Sequence, residues 1–237
     1  MPTAIITGAS RGLGRALGRA LATRGWRLVI DARGAQPLEQ AARELGRAAE
    51  VIALAGDVAD ARHRDELIDA AGPSVDLLVN NASVLGPSPQ PRLASYPSHE
   101  FEHVYEVNVL APLRLIQLAV PRLSDGGTIV NVTSDAAVEA YEGWGGYGSA
   151  KAALEQLSAV LAAEHPELRV YAVDPGDMRT QLHQEAFPGE DISDRPPPED
   201  SVPGLLALIE GVLPSGRYRA AEVAALVSRA EGVAALS

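Results

Sequence analysis

The chain has 237 residues, a formal net charge of −11 at pH 7 and no cysteine. Its length and its ordinary apolar content allow one large domain with a sizeable core. The missing cysteines exclude disulfides and thiolate metal sites, and the acidic balance argues against nucleic acid as the main partner. We see no signal peptide at the N-terminus, and no apolar run reaches the roughly 18 residues that a membrane span needs. We therefore expect a cytoplasmic protein with no membrane partner, no nucleic-acid partner and no bound metal.

Short apolar runs alternate with segments of helical periodicity along most of the chain. The predicted strands cover residues 4–7, 27–31, 50–54, 76–80, 128–132 and 169–173, with a short final strand at 216–219. The predicted helices cover residues 15–24, 37–45, 62–71, 98–123, 147–164, 205–213 and 220–236, with a bend at Pro112 and an interruption at Gly232. Continuous apolar strands are buried on both faces, as in a parallel sheet. The pattern predicts an α/β protein with a doubly wound parallel sheet, the Rossmann fold, as a single domain over residues 1–237.

Residues with chemical or conformational roles stand where the predicted strands end. They are Gly8, Asp57, Asn80, Ser134 and Pro175. Right-handed crossovers place the carboxyl ends of parallel strands at one edge of the sheet, and ligands of open sheets bind along that edge. We therefore expect these residues to converge on one ligand site.

A glycine-rich turn joins the first predicted strand to the first predicted helix, with glycines at positions 8, 12 and 14. A turn of this kind presents free backbone N–H groups and the positive end of a helix to an anion. Glycine also lets the backbone approach a ligand closely. The spacing G-x-x-x-G-x-G differs from the G-x-G-x-x-G fingerprint, but its place after a first strand favours nucleotide binding.

Tyr147 and Lys151 stand four residues apart in a segment of good helix formers. On a helix this spacing puts both side chains on one face. A cation beside a tyrosine lowers the pKa of the phenol, and such a tyrosine can exchange a proton near neutral pH. Lys151 is the only lysine of the chain. Taken alone, the same spacing is also typical of a solvated helix face without chemistry.

Together these motifs resemble the short-chain dehydrogenase/reductase family in its compact single-domain form. The resemblance covers residues 3–180 and rests on the glycine-rich turn at 7–14, on Asp57-Val58, on Asn80-Asn81-Ala82, and on Pro175-Gly176 with Thr180. It implies an oxidoreductase that acts on a small carbonyl or alcohol, with a catalytic tetrad at Asn108, Ser134, Tyr147 and Lys151. A non-catalytic nucleotide-binding regulatory or scaffold protein of the same fold is the alternative.

The resemblance also implies a role for each member of the tetrad. Tyr147 exchanges a proton with the substrate oxygen, and Lys151 lowers its pKa and binds the nicotinamide ribose. Ser134 hydrogen-bonds the substrate oxygen, and Asn108 holds a water that links Lys151 to solvent. The nicotinamide supplies the hydride.

The resemblance further implies a set of cofactor-binding residues. They are Gly8, Ser10, Arg11, Gly12, Leu13, Gly14, Ala32, Arg33, Asp57, Val58, Asn80, Ala82, Tyr147, Lys151, Pro175, Gly176 and Thr180. The residue that discriminates between cofactors falls seven after Gly25, at Ala32, and not at Asp31. A shift of one residue along a strand reverses the direction of a side chain. Arg11 and Arg33 suit a 2′-phosphate, which predicts NADP(H) over NAD(H).

Three features of the chain depart from a simple pattern. Residues 177–203 are rich in proline and acid, and they form either a lid over the site or an inert loop, within a substrate-loop region at 177–213. Ser83 stands where the family more often has glycine, which narrows the nicotinamide pocket. The Asp-Gly-Gly ending of the family's tetramers is missing. We expect a homodimer through the helices that carry Asn108 and Tyr147, with the tetramer contact in doubt.

Overall fold

The computed structural model describes residues 1–226. In this range one sheet has seven strands: β1 (Thr3–Ile6), β2 (Arg27–Ala32), β3 (Val51–Ala55), β4 (Val75–Asn80), β5 (Leu123–Val132), β6 (Arg169–Asp174) and β7 (Gly216–Arg219). Every pairing is parallel, and the order across the sheet is β3-β2-β1-β4-β5-β6-β7. The order reverses between β1 and β4, so the crevice for a ligand opens above these two strands. The predicted doubly wound sheet is confirmed.

Helices cover both faces of this sheet, which is why its strands read as apolar runs. They are α1 (Gly12–Ala22), α2 (Ala35–Leu45), α3 (Ala61–Ala71), α4 (Ser98–Tyr105), α5 (Ala111–Ala119), α6 (Gly145–Glu164), α7 (Gln181–Ala186) and α8 (Val202–Glu210). Leu17 of α1 belongs to the core layer on one face, and Leu67 of α3 and Leu115 of α5 belong to the layer on the other. None of the helices within residues 1–226 has the length and apolarity that crossing a membrane demands.

The long helix predicted over residues 98–123 is interrupted by a π-helical turn. This turn (Glu106–Leu110) separates α4 from α5, and Pro112 lies in the first turn of α5, where its missing N–H is not needed. The helical stretch is thus interrupted just before Pro112, the residue at which the sequence predicts a bend. A short 3₁₀ turn ends this helical stretch at Arg122, and β5 starts five residues earlier than predicted, where Leu123 pairs with Val75.

The proline-rich segment 177–203 contains more structure than its sequence predicts. α7 begins after Thr180, whose Oγ1 accepts a hydrogen bond from the backbone N–H of His183. A 3₁₀ turn (Pro198–Ser201) leads into α8, which covers residues 202–210 and not the predicted 205–213. The Oγ of Ser201 donates to the carbonyl of Pro175 at 2.8 Å, which ties the segment back to the end of β6. Residues 220–226 are helical as predicted, and the rest of that helix, with Gly232, lies outside the described residues.

The end of β1 is joined to the loop after β4 by the buried side chain of Thr7. Its Oγ1 accepts from the backbone N–H groups of Asn81 at 3.0 Å and Ala82 at 2.9 Å, and donates to the carbonyl of Val79. The side-chain Nδ2 of Asn81 donates in return to the carbonyls of Thr7 at 2.8 Å and Gly8 at 3.2 Å. These bonds fix where the glycine-rich turn leaves the sheet.

We expect Thr7→Val to lower the free energy of unfolding by about 2 kcal/mol, because the buried N–H of Ala82 loses its acceptor and that of Asn81 loses one of two. Thr7→Ser keeps the hydroxyl and removes one methyl, so its loss should stay near 1 kcal/mol. Urea unfolding followed by circular dichroism measures both. A loss in Thr7→Ser with none in Thr7→Val would show that the methyl group, and not the hydroxyl, stabilises this junction.

Candidate active site

A cavity of about 650 Å³ runs along the carboxyl edge of the sheet, from the end of β2 to α7. The predicted site residues that line it come from six strand ends, from α6 and from the segment after β6. They are Gly8, Ser10, Arg11, Gly12, Leu13, Ala32, Arg33, Asp57, Val58, Ala82, Ser134, Tyr147, Lys151, Pro175, Gly176 and Thr180. The sheet therefore brings together residues that are up to 172 positions apart in the chain.

Gly14 and Asn80 were predicted to bind the cofactor, but they do not line this cavity. A Cβ at Gly14 would come within 2.6 Å of Asn81 Nδ2 and 2.8 Å of the carbonyl of Gly8, so this glycine lets α1 pack closely on its own turn. The Nδ2 of Asn80 donates to Asn131 Oδ1 at 2.8 Å between buried strands. Contacts inside the protein therefore account for the residue at each of these two positions.

The glycine-rich turn has the geometry and the donors that a phosphate group needs. Gly8 and Gly12 have positive φ angles of 67° and 54°, and a Cβ at Gly8 would lie 2.9 Å from the Cα of Ala82. α1 starts at Gly12, and its N-cap residue Arg11 makes no side-chain cap, so the first backbone N–H groups stay free for an anion. The turn therefore fits the pyrophosphate of a dinucleotide.

Asp31 is turned towards this glycine turn and away from the end of β2. Its Oδ1 accepts from the backbone N–H of Gly8 at 2.7 Å, and its Oδ2 lies 3.0 Å from Nε2 of His63. Burial raises the pKa of Asp31, and the hydrogen bond with Asp31 raises the pKa of His63. His63 was not singled out from the sequence. The glycine that makes room for its ring is Gly56, since a Cβ there would overlap the ring.

Arg11 and Arg33 are exposed residues on the wall of the cavity. Within residues 1–226, neither guanidinium has an ion-pair or a hydrogen-bond partner. Guanidiniums that line a cavity suit an anion, because each offers several fixed N–H donors.

Tyr147 and Lys151 are both buried on one face of α6. Lys151 Nζ donates to the carbonyl of Val132 at 2.8 Å and lies 5.4 Å from the centroid of the Tyr147 ring. Burial lowers the pKa of Lys151 to about 8. Burial raises the pKa of Tyr147 to about 12, although hydrogen bonds with the hydroxyls of Ser83 and Ser134 oppose this shift.

The protein groups around Tyr147 therefore do not give it the low pKa that its spacing from Lys151 predicts. Burial outweighs the hydroxyl groups, and the nearby carboxylates of Asp135 and Asp174 raise the pKa of the phenol further. The phenol keeps its proton at neutral pH, which is the state that a proton donor needs.

Asn108 lies in the π-helical turn and is fully buried. Its Oδ1 accepts from Ser83 Oγ and from the backbone N–H of Val84, both at 3.0 Å, and its Nδ2 donates to the carbonyl of Val84 at 2.8 Å. The side chain does not line the cavity, and its predicted role in holding a water stays a prediction. The amide group fixes the position of Ser83 beside Tyr147.

Ser134 stands at the end of β5, with its hydroxyl beside the Tyr147 phenol. Its Oγ donates to Asp135 Oδ1 at 2.8 Å and accepts from the backbone N–H of Ala136 at 3.2 Å. The hydroxyl is thus held in place on the cavity wall by its own turn.

The cavity wall around Tyr147 is aromatic and apolar. The Trp144 ring packs edge-on against Tyr147 with centroids 5.8 Å apart and lies 6.0 Å from Phe187. Leu85 and Leu182 complete this cluster. Leu182 and other residues of α7 line the cavity, so part of the segment 177–203 forms its wall. Whether the segment acts as a lid stays a prediction.

Charged residues on the same part of the wall are mostly acidic, with Asp135, Asp177 and Glu185 against Arg179. Among residues 1–226, no group of three or more His, Asp or Glu side chains converges as metal ligands would.

Comparison with known proteins agrees with this geometry. A family model described as short chain dehydrogenase matches residues 2–191. Sepiapterin reductase of Mus musculus is 33% identical over 197 residues, covering 76% of each chain. A protein of Pseudomonas syringae described as a short-chain dehydrogenase superposes with a TM-score of 0.87 at 29% identity, over 92% of this chain and 94% of that one. A short-chain dehydrogenase of Shigella flexneri, solved in complex with NADP, gives 0.83 at 28% identity, over 92% and 96%.

The match covers most of the chain, and the matched structures share its parallel sheet. The chain belongs to the short-chain dehydrogenase family, whose oxidoreductases act on CH–OH and C=O groups.

Proposed function

We propose that the protein is an NADP(H)-dependent oxidoreductase that interconverts a carbonyl compound and its alcohol, with Tyr147 exchanging the proton. The observation that carries this proposal is a buried phenol, its ring centroid 5.4 Å from the buried ammonium of Lys151, on the wall of the same cavity as the glycine-rich turn. A binding module of this fold has no need of such a phenol, so the regulatory or scaffold alternative is disfavoured.

The chain's own groups have distinct tasks in this proposal. When bound, the nicotinamide supplies the hydride chemistry that no side chain can provide. Tyr147 holds a proton at Oη and donates it to the substrate oxygen, and Ser134 Oγ orients that oxygen from the end of β5. The ammonium of Lys151 stabilises the ionised phenol after the transfer and can bind ribose hydroxyls. Asn108 and Ser83 hold the opposite side of the phenol in place.

The preference for NADP(H) rests on the charges at the other end of the cavity. Arg11 and Arg33 have unpaired guanidiniums there, which suit the 2′-phosphate. Asp31, the one carboxylate in β2, is engaged with Gly8 and His63 and does not compete for the ribose. The structure of the Shigella flexneri relative in complex with NADP supports the same choice.

The wall near Tyr147 favours a neutral carbonyl compound with an apolar or aromatic substituent. Trp144 offers a ring surface, backed by Phe187, and the carboxylates of Asp135 and Glu185 repel an anion. The cation nearest the phenol, Lys151, already donates to the carbonyl of Val132. Cytoplasmic location and a homodimer through the helices that carry Asn108 and Tyr147 stay predictions.

We expect Tyr147→Phe to lower kcat at least about 100-fold for any substrate that the wild-type enzyme reduces, because the proton donor is lost. The Kd for NADPH should change less than about threefold, since the ring and its packing remain. Loss of NADPH absorbance and fluorescence titration measure the two quantities. Tyr105→Phe removes the same atom from a tyrosine outside the cavity and should leave both unchanged. Undiminished turnover in Tyr147→Phe would contradict the proposed role.

Acetophenone and 4-acetylbenzoate differ by one carboxylate and test the substrate class. We expect kcat/KM with NADPH to be roughly tenfold or more higher for the neutral ketone, because the wall near Tyr147 carries negative charge. Glu185→Gln should narrow this gap, and Glu190→Gln, outside the cavity, should not. A preference for the carboxylated ketone would rule out this substrate class without touching the role of Tyr147.

A further inference from the structure

A buried acid and base, Asp31 and His63, form a pair that the proposed reaction at Tyr147 does not use. Their side chains are only 1% and 5% exposed, and Asp31 Oδ2 lies 3.0 Å from His63 Nε2. The other carboxylate oxygen accepts from the backbone N–H of Gly8 at 2.7 Å. Burying two polar side chains costs free energy of desolvation. The contact between Asp31 and the glycine-rich turn indicates a role for the pair in that turn.

The pair lies between two walls of the cofactor end of the cavity. Asp31 is itself on the cavity wall, next in sequence to Ala32 and Arg33, which line it too. His63 reaches Asp31 from α3 because Gly56 has no Cβ to block the ring. The residues that follow Gly56, Asp57 and Val58, line the cavity as well. A change in the charge of the pair is therefore felt by a ligand bound there.

The two side chains share one proton, and the pair is then electrically neutral. Burial raises the pKa of Asp31, and the hydrogen bond with Asp31 raises the pKa of His63, so both shifts favour the neutral pair at the pH where an ordinary histidine loses its charge. Once that proton leaves, one carboxylate charge remains without compensation.

The other charged groups near the pair do not neutralise the negative charge of an ionised Asp31. Those that act on Asp31 and His63 from α3 and the loop before it are acidic, namely Asp57, Asp60 and Glu66. The guanidiniums of Arg11 and Arg33 line the same cavity as Asp31. An ionised Asp31 beside a neutral His63 would therefore attract the same guanidiniums that suit a 2′-phosphate.

We propose that His63 is a positioning residue for cofactor choice: it keeps Asp31 turned to Gly8 and neutral as a pair, so that Arg11 and Arg33 stay available to a 2′-phosphate. Preference for the 2′-phosphate is then greatest while the pair holds its shared proton and falls when rising pH removes it. This inference rests on the NADP(H) preference proposed above.

The test uses two half-cofactors, adenosine 2′,5′-bisphosphate and 5′-AMP, titrated by calorimetry. Neither carries the nicotinamide ribose, so the titration of Lys151 does not enter the ratio of their Kd values. The range from about pH 7 to about pH 9.5 lies above the second ionisation of the phosphates, whose charge then stays constant. We expect the wild-type preference for the bisphosphate to fall about tenfold across this range.

Three variants separate this mechanism from a structural role. Asp31→Asn keeps both hydrogen bonds without a charge, and its preference should be high and independent of pH. His63→Gln keeps a donor to Asp31 but cannot carry the proton, so its preference at about pH 7 should already match that of the wild type at about pH 9.5. In the Asp31→Asn background, His63→Gln should have no effect on the ratio. Thermal unfolding of each variant confirms that it is folded.

Two results would overturn the proposal. One is a wild-type preference that stays constant with pH and is unchanged in His63→Gln. The other is a His63→Gln variant that weakens both nucleotides equally and does so in the Asp31→Asn background too, which is the behaviour of a purely structural pin. If the wild type binds both nucleotides equally at every pH, the NADP(H) preference fails as well, whereas the role of Tyr147 is tested separately by Tyr147→Phe.

Discussion

The junction between β1 and the loop after β4 is the constraint on which the rest of the site depends. Thr7 Oγ1 and Asn81 Nδ2 between them tie the glycine-rich turn to this loop by four hydrogen bonds of 2.8–3.2 Å. The loop continues into Ser83, which donates to Asn108 in the π-helical turn and lies against Tyr147. One short segment thus sets the distance between the phosphate end of the cavity and the phenol.

Burial gives each end of the cavity its own electrostatics. At one end it keeps the Tyr147 phenol protonated, with a pKa of about 12, and lowers the pKa of Lys151 to about 8. At the other end burial raises the pKa of Asp31, and the hydrogen bond with Asp31 raises the pKa of His63. In both places the buried polar groups are hydrogen-bonded, as buried groups must be. The arrangement of those bonds decides which proton can be transferred. The guanidiniums of Arg11 and Arg33, by contrast, are exposed on the cavity wall.

The sequence predicted the parts of this structure that depend on local pattern. Apolar runs of strand length between helical periods predicted the parallel sheet, and the glycine spacing after β1 predicted the tight turn into α1. What it missed depends on contacts between distant residues. Nothing near His63 indicates that it meets Asp31, 32 positions earlier, and nothing near Thr7 shows that it accepts from the loop after β4. The pKa of Tyr147 was also misjudged, because spacing reveals the neighbouring Lys151 and not the burial of both.

The central claim is that this cavity binds NADP(H) with its reactive end at Tyr147. A crystal structure of the protein with NADP⁺ tests it most directly. We expect density for the dinucleotide along the carboxyl edge of the sheet, with the 2′-phosphate against Arg11 and Arg33 and the nicotinamide beside Tyr147 and Lys151. A dinucleotide bound elsewhere, or bound with its nicotinamide at the Arg33 end, would contradict the assignment of both ends of the cavity.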